Sequence, residues 1–209
     1  MNDEALWQPN YFRLFLSHAG DGREFAGVMK DRLSGFRIEA FVAHEDIAPT
    51  LPWVEVIEQA LKTCHALAAL LTPDFHESDW TDQEIGYCLS RDVLILPLRL
   101  GLTPYGFIGR YQALRGINLS PYTLAAKICE ALIGNEQTVE RMTGALVLAF
   151  EKSFSFESAK VIMSLLEKAP SLSQRQLQRI EESIGKNRQV ERSGGVPDRI
   201  RQLIERHSR

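Results

Sequence analysis

From Tyr11 to Leu132, short apolar runs alternate with stretches in which apolar residues recur every three or four positions. Tyr11-Phe-Arg-Leu-Phe-Leu16 reads as a first strand ending at Ser17-His18. Arg23 to Leu33 sets Phe25, Val28, Met29 and Leu33 at helical spacing. Arg37 to Val42 predicts a second strand, closed by His44-Glu45-Asp46; a loop with Pro49 and Pro52 follows. Trp53, Val56, Ile57, Ala60 and Leu61 then mark one apolar helix face. Ala66-Leu-Ala-Ala-Leu-Leu71 is uncharged throughout, as a parallel strand covered on both faces should be. A helix over Ser78 to Arg91 buries Ile85, Cys88 and Leu89, and Asp92 to Leu98 gives a fourth strand. After an irregular stretch from Gly101 to Gly116, a short fifth strand is predicted near Ile117–Leu119, then a helix from Pro121 to about Leu132. This alternation implies right-handed crossovers and a parallel sheet between helices, a flavodoxin-like doubly wound α/β unit of five strands.

Beyond Gly134-Asn135 the strand pattern stops. Val139–Phe150, Ala159–Leu166, Ser171–Ile184 and Asp198–His207 read as helices, the last after a Ser193-Gly-Gly-Val-Pro197 turn. The expected organisation is an N-terminal extension over 1–10, an α/β domain over 11–133 and a small all-α module over 136–209. Charge divides in the same place: residues 1–135 carry 11 Lys and Arg against 17 Asp and Glu, residues 136–209 carry 13 against 10. That asymmetry supports two functionally distinct segments.

The overall net charge of -3 exerts no general pull toward nucleic acid. The basic end, with Arg199, Arg201, Arg206 and Arg209, lacks aromatic interleaving and reads as a solvated helix face. Cys64, Cys88 and Cys129 are odd in number and widely spaced, which fits reduced, buried thiols rather than a disulfide framework or zinc site. The five histidines have no metal-ligand spacing, so no metal is expected. The acidic start does not look like a signal peptide, and no apolar run approaches the ~18 residues that span a bilayer. A cytoplasmic protein without membrane contact is the expectation.

Doubly wound sheets bind ligands beyond the carboxyl ends of their strands, where strand order reverses. With the order 2-1-3-4-5, that crevice receives Ser17-His18-Ala19-Gly20-Asp21 after the first strand and Thr72 to Glu84 after the third. His44-Glu45-Asp46 adjoins it. Trp80 and Glu84 stand four apart, so on one helix they share a face. An aromatic ring beside a carboxylate can hold a cationic ring. Two local roles compete for Glu84. If Thr81 caps the helix, Thr81-Asp-Gln-Glu84 is a capping box and the carboxylate turns back to the backbone. If Ser78 is the cap, the carboxylate is free to face Ser17. Adjacent Ser17 and His18 do not form a productive nucleophile–base pair, and no Gly-x-Ser-x-Gly elbow occurs.

Phe15-Leu-Ser-His-Ala19, Asp46-Ile-Ala-Pro49 with Trp53-x-x-x-Ile57, Ser78-Asp-Trp-Thr-Asp-Gln-Glu84, and Gly106-Phe-Ile-Gly109 with Tyr111-Gln-Ala-Leu114 occur in that order. Together they resemble the motifs of bacterial Toll/interleukin-1 receptor (TIR) domains of the NAD-cleaving type. One departure lies in the loop after the second strand, where Pro49 is followed by Thr50-Leu51 instead of the glycine found in many members. The resemblance implies an NAD+ nucleosidase releasing nicotinamide and ADP-ribose or a cyclic isomer, with NAD+ as substrate and no cofactor. It implies Glu84 as the catalytic residue and Ser17, His18, Ala19, Asp46, Trp53 and Trp80 as substrate-binding residues. It further implies assembly with other TIR protomers, a role in antiviral defence signalling, and a downstream effector that senses the product. A non-enzymatic TIR–TIR scaffold is the competing implication.

Overall fold

The computed structural model describes residues 6–47 and 52–207. Met1–Ala5 of the predicted extension, the loop carrying Pro49, Thr50 and Leu51, and Arg209 of the basic end lie outside the described residues.

Five strands form one parallel sheet: β1 (Phe12–Ser17), β2 (Ile38–Phe41), β3 (Ala66–Leu71), β4 (Leu94–Arg99) and β5 (Leu114–Arg115). Their order is β2-β1-β3-β4-β5, which reverses direction at β1 and opens a crevice between β1 and β3. The helices of this unit are α1 (Arg23–Ser34), the single turn α2 (Ala43–Asp46), α3 (Trp53–Thr63), α4 (Thr81–Ser90) and α5 (Pro121–Ile133). Every residue of β3 is buried, as its uncharged run requires. Because strand side chains alternate between faces, Phe15, Leu67, Ala69, Leu71 and Ile95 all reach the core beneath α3 and α4. There they meet Val56, Ile57, Ala60 and Leu61 of α3 and Ile85 and Cys88 of α4. Ser17 follows Phe15 by two, so the pleat carries its hydroxyl to the same side.

Two expected boundaries are corrected. The fifth strand is Leu114–Arg115, paired with Leu98 and Arg99, and not Ile117–Leu119. Asn118 has a φ of 64°, which interrupts extended backbone, and Ile117 is exposed. The helix expected from Ser78 begins at Thr81, because Ser78 itself is extended.

The chain divides into two compact units within α5, between Ile128 and Cys129; the second unit also takes in Gly35–Arg37. After α5 come α6 (Val139–Glu151), α7 (Phe156–Leu166), α8 (Gln174–Lys186), the one-turn α9 (Arg188–Glu191) and α10 (Val196–His207). Capping boxes start α7 at Ser155 with Ser158 and α8 at Ser173 with Gln176. Arg179 makes a two-pronged pair with Glu151, and Arg199 with Glu167. Arg199 thus braces α10 to α7 and does not belong to a free basic face. Cys64, Cys88 and Cys129 are buried and unpaired by disulfides. Among the described residues no helix is long and apolar enough to cross a membrane.

Candidate active site

The switch-point crevice is built from the ends of β1, β2 and β3. After β3, Phe75 begins a single 3-10 turn and is fully buried, which anchors the chain before α4. The Thr81 hydroxyl donates to the Phe75 carbonyl at 2.7 Å, inside the protein. Trp80 occupies the cap position of α4 without a side-chain cap bond, while the Ser78 hydroxyl accepts from the Trp80 amide at 3.3 Å. Neither competing cap expected from the sequence is formed. The Glu84 amide donates to the Trp80 carbonyl at 2.9 Å as an ordinary helical bond, which leaves the carboxylate free.

That carboxylate points inward. Ser17 Oγ donates to Glu84 Oε2 at 2.5 Å, and both side chains are buried. Burial pushes the Glu84 pKa up from the ordinary 4.5 to about 7, against the opposing pull of the Ser17 hydrogen bond. The position of Glu84 in the first turn of α4 also favours its anion, yet desolvation prevails. The group therefore changes charge near neutral pH, as acids and bases of active sites often do.

A second polar cluster comes from β1 and β2. Phe15 and Phe41 lie side by side in the sheet, and three residues beyond each stand His18 and His44. His18 Nε2 and His44 Nδ1 are 2.9 Å apart, and His18 Nδ1 lies 3.0 Å from the Leu16 carbonyl. Burial lowers the pKa of His18; burial, then His18 and Arg23, lower that of His44. Asp21 ties the loop after β1 to the loop after β3: its carboxylate accepts from Thr72 Oγ1 at 2.6 Å and from the Asp74 amide at 3.2 Å.

Between these parts lies a cavity of about 160 Å³. Glu84, Trp80 and Ser78 line it from the β3–α4 segment, His18, Ala19, Gly20 and Arg23 from the β1 side, and His44, Trp53 and Ile57 from α2 and α3. Trp53 and Trp80 keep 42% and 39% of their surface exposed, large values for indoles in a structure this well packed. They offer two apolar ring faces beside one buried carboxylate. Among the described residues, no group of three or more His, Cys, Asp and Glu could hold a metal ion.

Of the residues singled out in the sequence, Glu84, His18, Ala19, Trp53 and Trp80 meet at this cavity. Ser17 stands behind Glu84 and touches the site through it. Asp46 is directed elsewhere: its carboxylate accepts from the Val42 amide at 2.7 Å and pairs with Lys30. It closes α2 and holds that turn to α1. Arg23 was missed as a lining residue, and His44, placed beside the crevice by the sequence, was not named among the binding residues. His44 carried a usable signal, since it follows β2 at the offset at which His18 follows β1.

The TIR-domain family model matches residues 14–132. Among solved structures, the chain is similar to the TIR domain of the Toll-related receptor TRR-2 from Hydra magnipapillata. The TM-score is 0.46 and the identity 19%, over 51% of this chain and 86% of that one. No curated protein matches the chain.

Proposed function

The chain belongs to the family of TIR domains, and from that premise we propose that it is an NAD+ nucleosidase. It would cleave the bond between nicotinamide and ribose to give nicotinamide and ADP-ribose or a cyclic isomer. Some members of the family are NAD-cleaving. The observation that carries this reading is the buried Glu84 carboxylate, held by Ser17 on the wall of a cleft flanked by two indoles.

Breaking that bond builds positive charge on the ribose, and a fixed carboxylate stabilises it, as in glycoside hydrolysis. At about 4 Å with an effective dielectric near 20, the attraction is worth about 4 kcal/mol. A difference of that size is roughly a thousandfold in rate. Trp80 and Trp53 flank the rings of the dinucleotide, and the exposed guanidinium of Arg23 suits its diphosphate. A cationic nicotinamide ring entering beside Glu84 draws the carboxyl toward its ionised form. Bacterial antiviral signalling, with the nucleotide product sensed by a partner effector, is the cellular role this reading favours.

Nicotinamide release from NAD+ by purified protein, followed chromatographically at high protein concentration, tests the reading. Glu84→Gln, folded as judged by circular dichroism, should lose at least about a thousandfold in rate. Equal rates in both proteins would remove Glu84 from the mechanism. TIR domains also associate with one another, and the near-complete burial of Glu84 favours a second reading, a scaffold in which the Ser17–Glu84 bond only packs the domain. Under that reading the protein associates with itself and releases no nicotinamide at any concentration.

A further inference from the structure

Resting on the nucleosidase reading, we infer that His44 is the proton acceptor of the reaction and that His18 is the residue that orients it. The hydrogen bonds determine which nitrogen is free. A carbonyl only accepts, so the 3.0 Å contact with the Leu16 carbonyl makes His18 Nδ1 the protonated nitrogen. In neutral His18, Nε2 then carries the lone pair, and across 2.9 Å it accepts from His44 Nδ1–H. His44 Nε2 is left with its lone pair and no hydrogen-bond partner among the described residues, on a side chain that lines the cleft with Glu84. The chain from Leu16 through His18 to His44 thus fixes both tautomers from the backbone outward.

The charges around His44 suit a base that starts neutral. Burial, His18 and Arg23 disfavour its protonated form. On its own turn, Glu45 Oε1 lies 3.9 Å from Nε2, placed to receive an imidazolium, and Asp46 adds negative charge. Both carboxylates are also engaged by Lys30 of α1. Gly27 gives the Glu45 carboxylate room, since a Cβ there would overlap it.

The chemistry needs such an acceptor. As the glycosidic bond breaks, its electron pair goes to nicotinamide, which leaves neutral and takes no proton. Water, or a hydroxyl of the same molecule in cyclisation, then bonds to the ribose carbon and must shed a proton. His44 Nε2 takes it and later releases it to solvent. A pyridine attacking the same carbon has no proton to lose. Base exchange therefore needs Glu84 but not His44.

The experiment gives NAD+ and 3-acetylpyridine to the purified full chain and quantifies water-derived and cyclic products against the exchanged dinucleotide. His44→Asn keeps an N–H donor toward His18 and removes the basic nitrogen. Its ratio of hydrolysis to exchange should fall at least about 100-fold, the usual scale of general-base catalysis. In the wild type that ratio should fall as pH drops and His44 becomes protonated; 3-acetylpyridine is weakly basic enough to stay a nucleophile there. His18→Gln, which keeps an acceptor for His44, should hold the ratio within a few-fold of wild type, and His18→Leu should lower it. An unchanged ratio in His44→Asn overturns the role of His44 and leaves the nucleosidase reading standing. If His44→Asn loses both reactions, the wild-type ratio decides, and a ratio flat with pH overturns the inference. No product of either kind from the wild type removes the nucleosidase reading, and His44 with it.

Discussion

At Glu84 the needs of the fold and of the proposed chemistry oppose each other, and the conflict can be measured. The folded pKa is about 7 against an ordinary 4.5. Below 4.5 the side chain is neutral in both folded and unfolded chains and costs nothing extra. Between 4.5 and about 7 the unfolded chain ionises first, so stability falls as pH rises, and above 7 the full penalty remains. At about 1.4 kcal/mol per unit, the gap amounts to at most about 3 kcal/mol. Glu84→Gln should therefore be more stable than wild type at pH 8 by up to about 3 kcal/mol and indistinguishable from it near pH 4. Urea unfolding at the two pH values checks this, and a variant less stable at pH 8 would contradict the burial argument. The sequence made Trp80 and Glu84 visible because their spacing of four is a local property. It could not show that Asp46 serves α2, nor that His18 and His44, 26 positions apart, share a hydrogen bond. Those facts depend on the pairing of β1 with β2 and on where Lys30 stands on α1.

The start of α4 decides whether Glu84 is a cap or a site residue. Both Ser78 and Thr81 have the chemistry of a cap, and the sequence offers no way to choose between them. What settles it is tertiary: Phe75 is drawn into the core, its carbonyl requires a donor there, and Thr81 supplies one at 2.7 Å. The Thr81 hydroxyl is thereby committed, and the capping box it could have made with Glu84 is lost. Thr81→Val conserves shape but leaves the buried Phe75 carbonyl without that donor, a loss of about 1–3 kcal/mol. Because Trp80 and Glu84 ride on this first turn, the variant should also turn over NAD+ more slowly. Denaturant unfolding and nicotinamide release read the two effects separately; unaltered stability would show that the Thr81 bond does not hold the turn. Elsewhere the element pattern was largely legible. β3 runs over the uncharged stretch from Ala66 to Leu71, where fully apolar sequence and full burial coincide. β5 was misplaced by a few residues because two paired residues leave almost no periodic signal, and Asn118 ends extended structure with a backbone turn that composition does not announce.

On the scale of the whole molecule, the parallel sheet was readable because each of the first three strands is followed, before the next, by a helix long enough to cross back, which leaves few topologies. The size of the cleft was not readable. Sites for small molecules usually occupy about 300–1,000 Å³, whereas this cavity has about 160 Å³. Under the nucleosidase reading it is too small to enclose a whole dinucleotide, so part of the substrate would lie outside it, against Arg23 and the open faces of Trp53 and Trp80, or be covered by another surface. A second protomer would supply such a covering surface, since TIR domains associate with one another. Burying the exposed indoles against a partner would release water from apolar surface and complete the enclosure of the substrate. Catalysis should then depend on assembly. The rate of nicotinamide release per molecule should rise with protein concentration and level off once light scattering shows the assembled species. A rate per molecule that stays constant across a wide dilution series, while the protein remains monomeric by scattering, would mean that one chain encloses enough of NAD+ by itself.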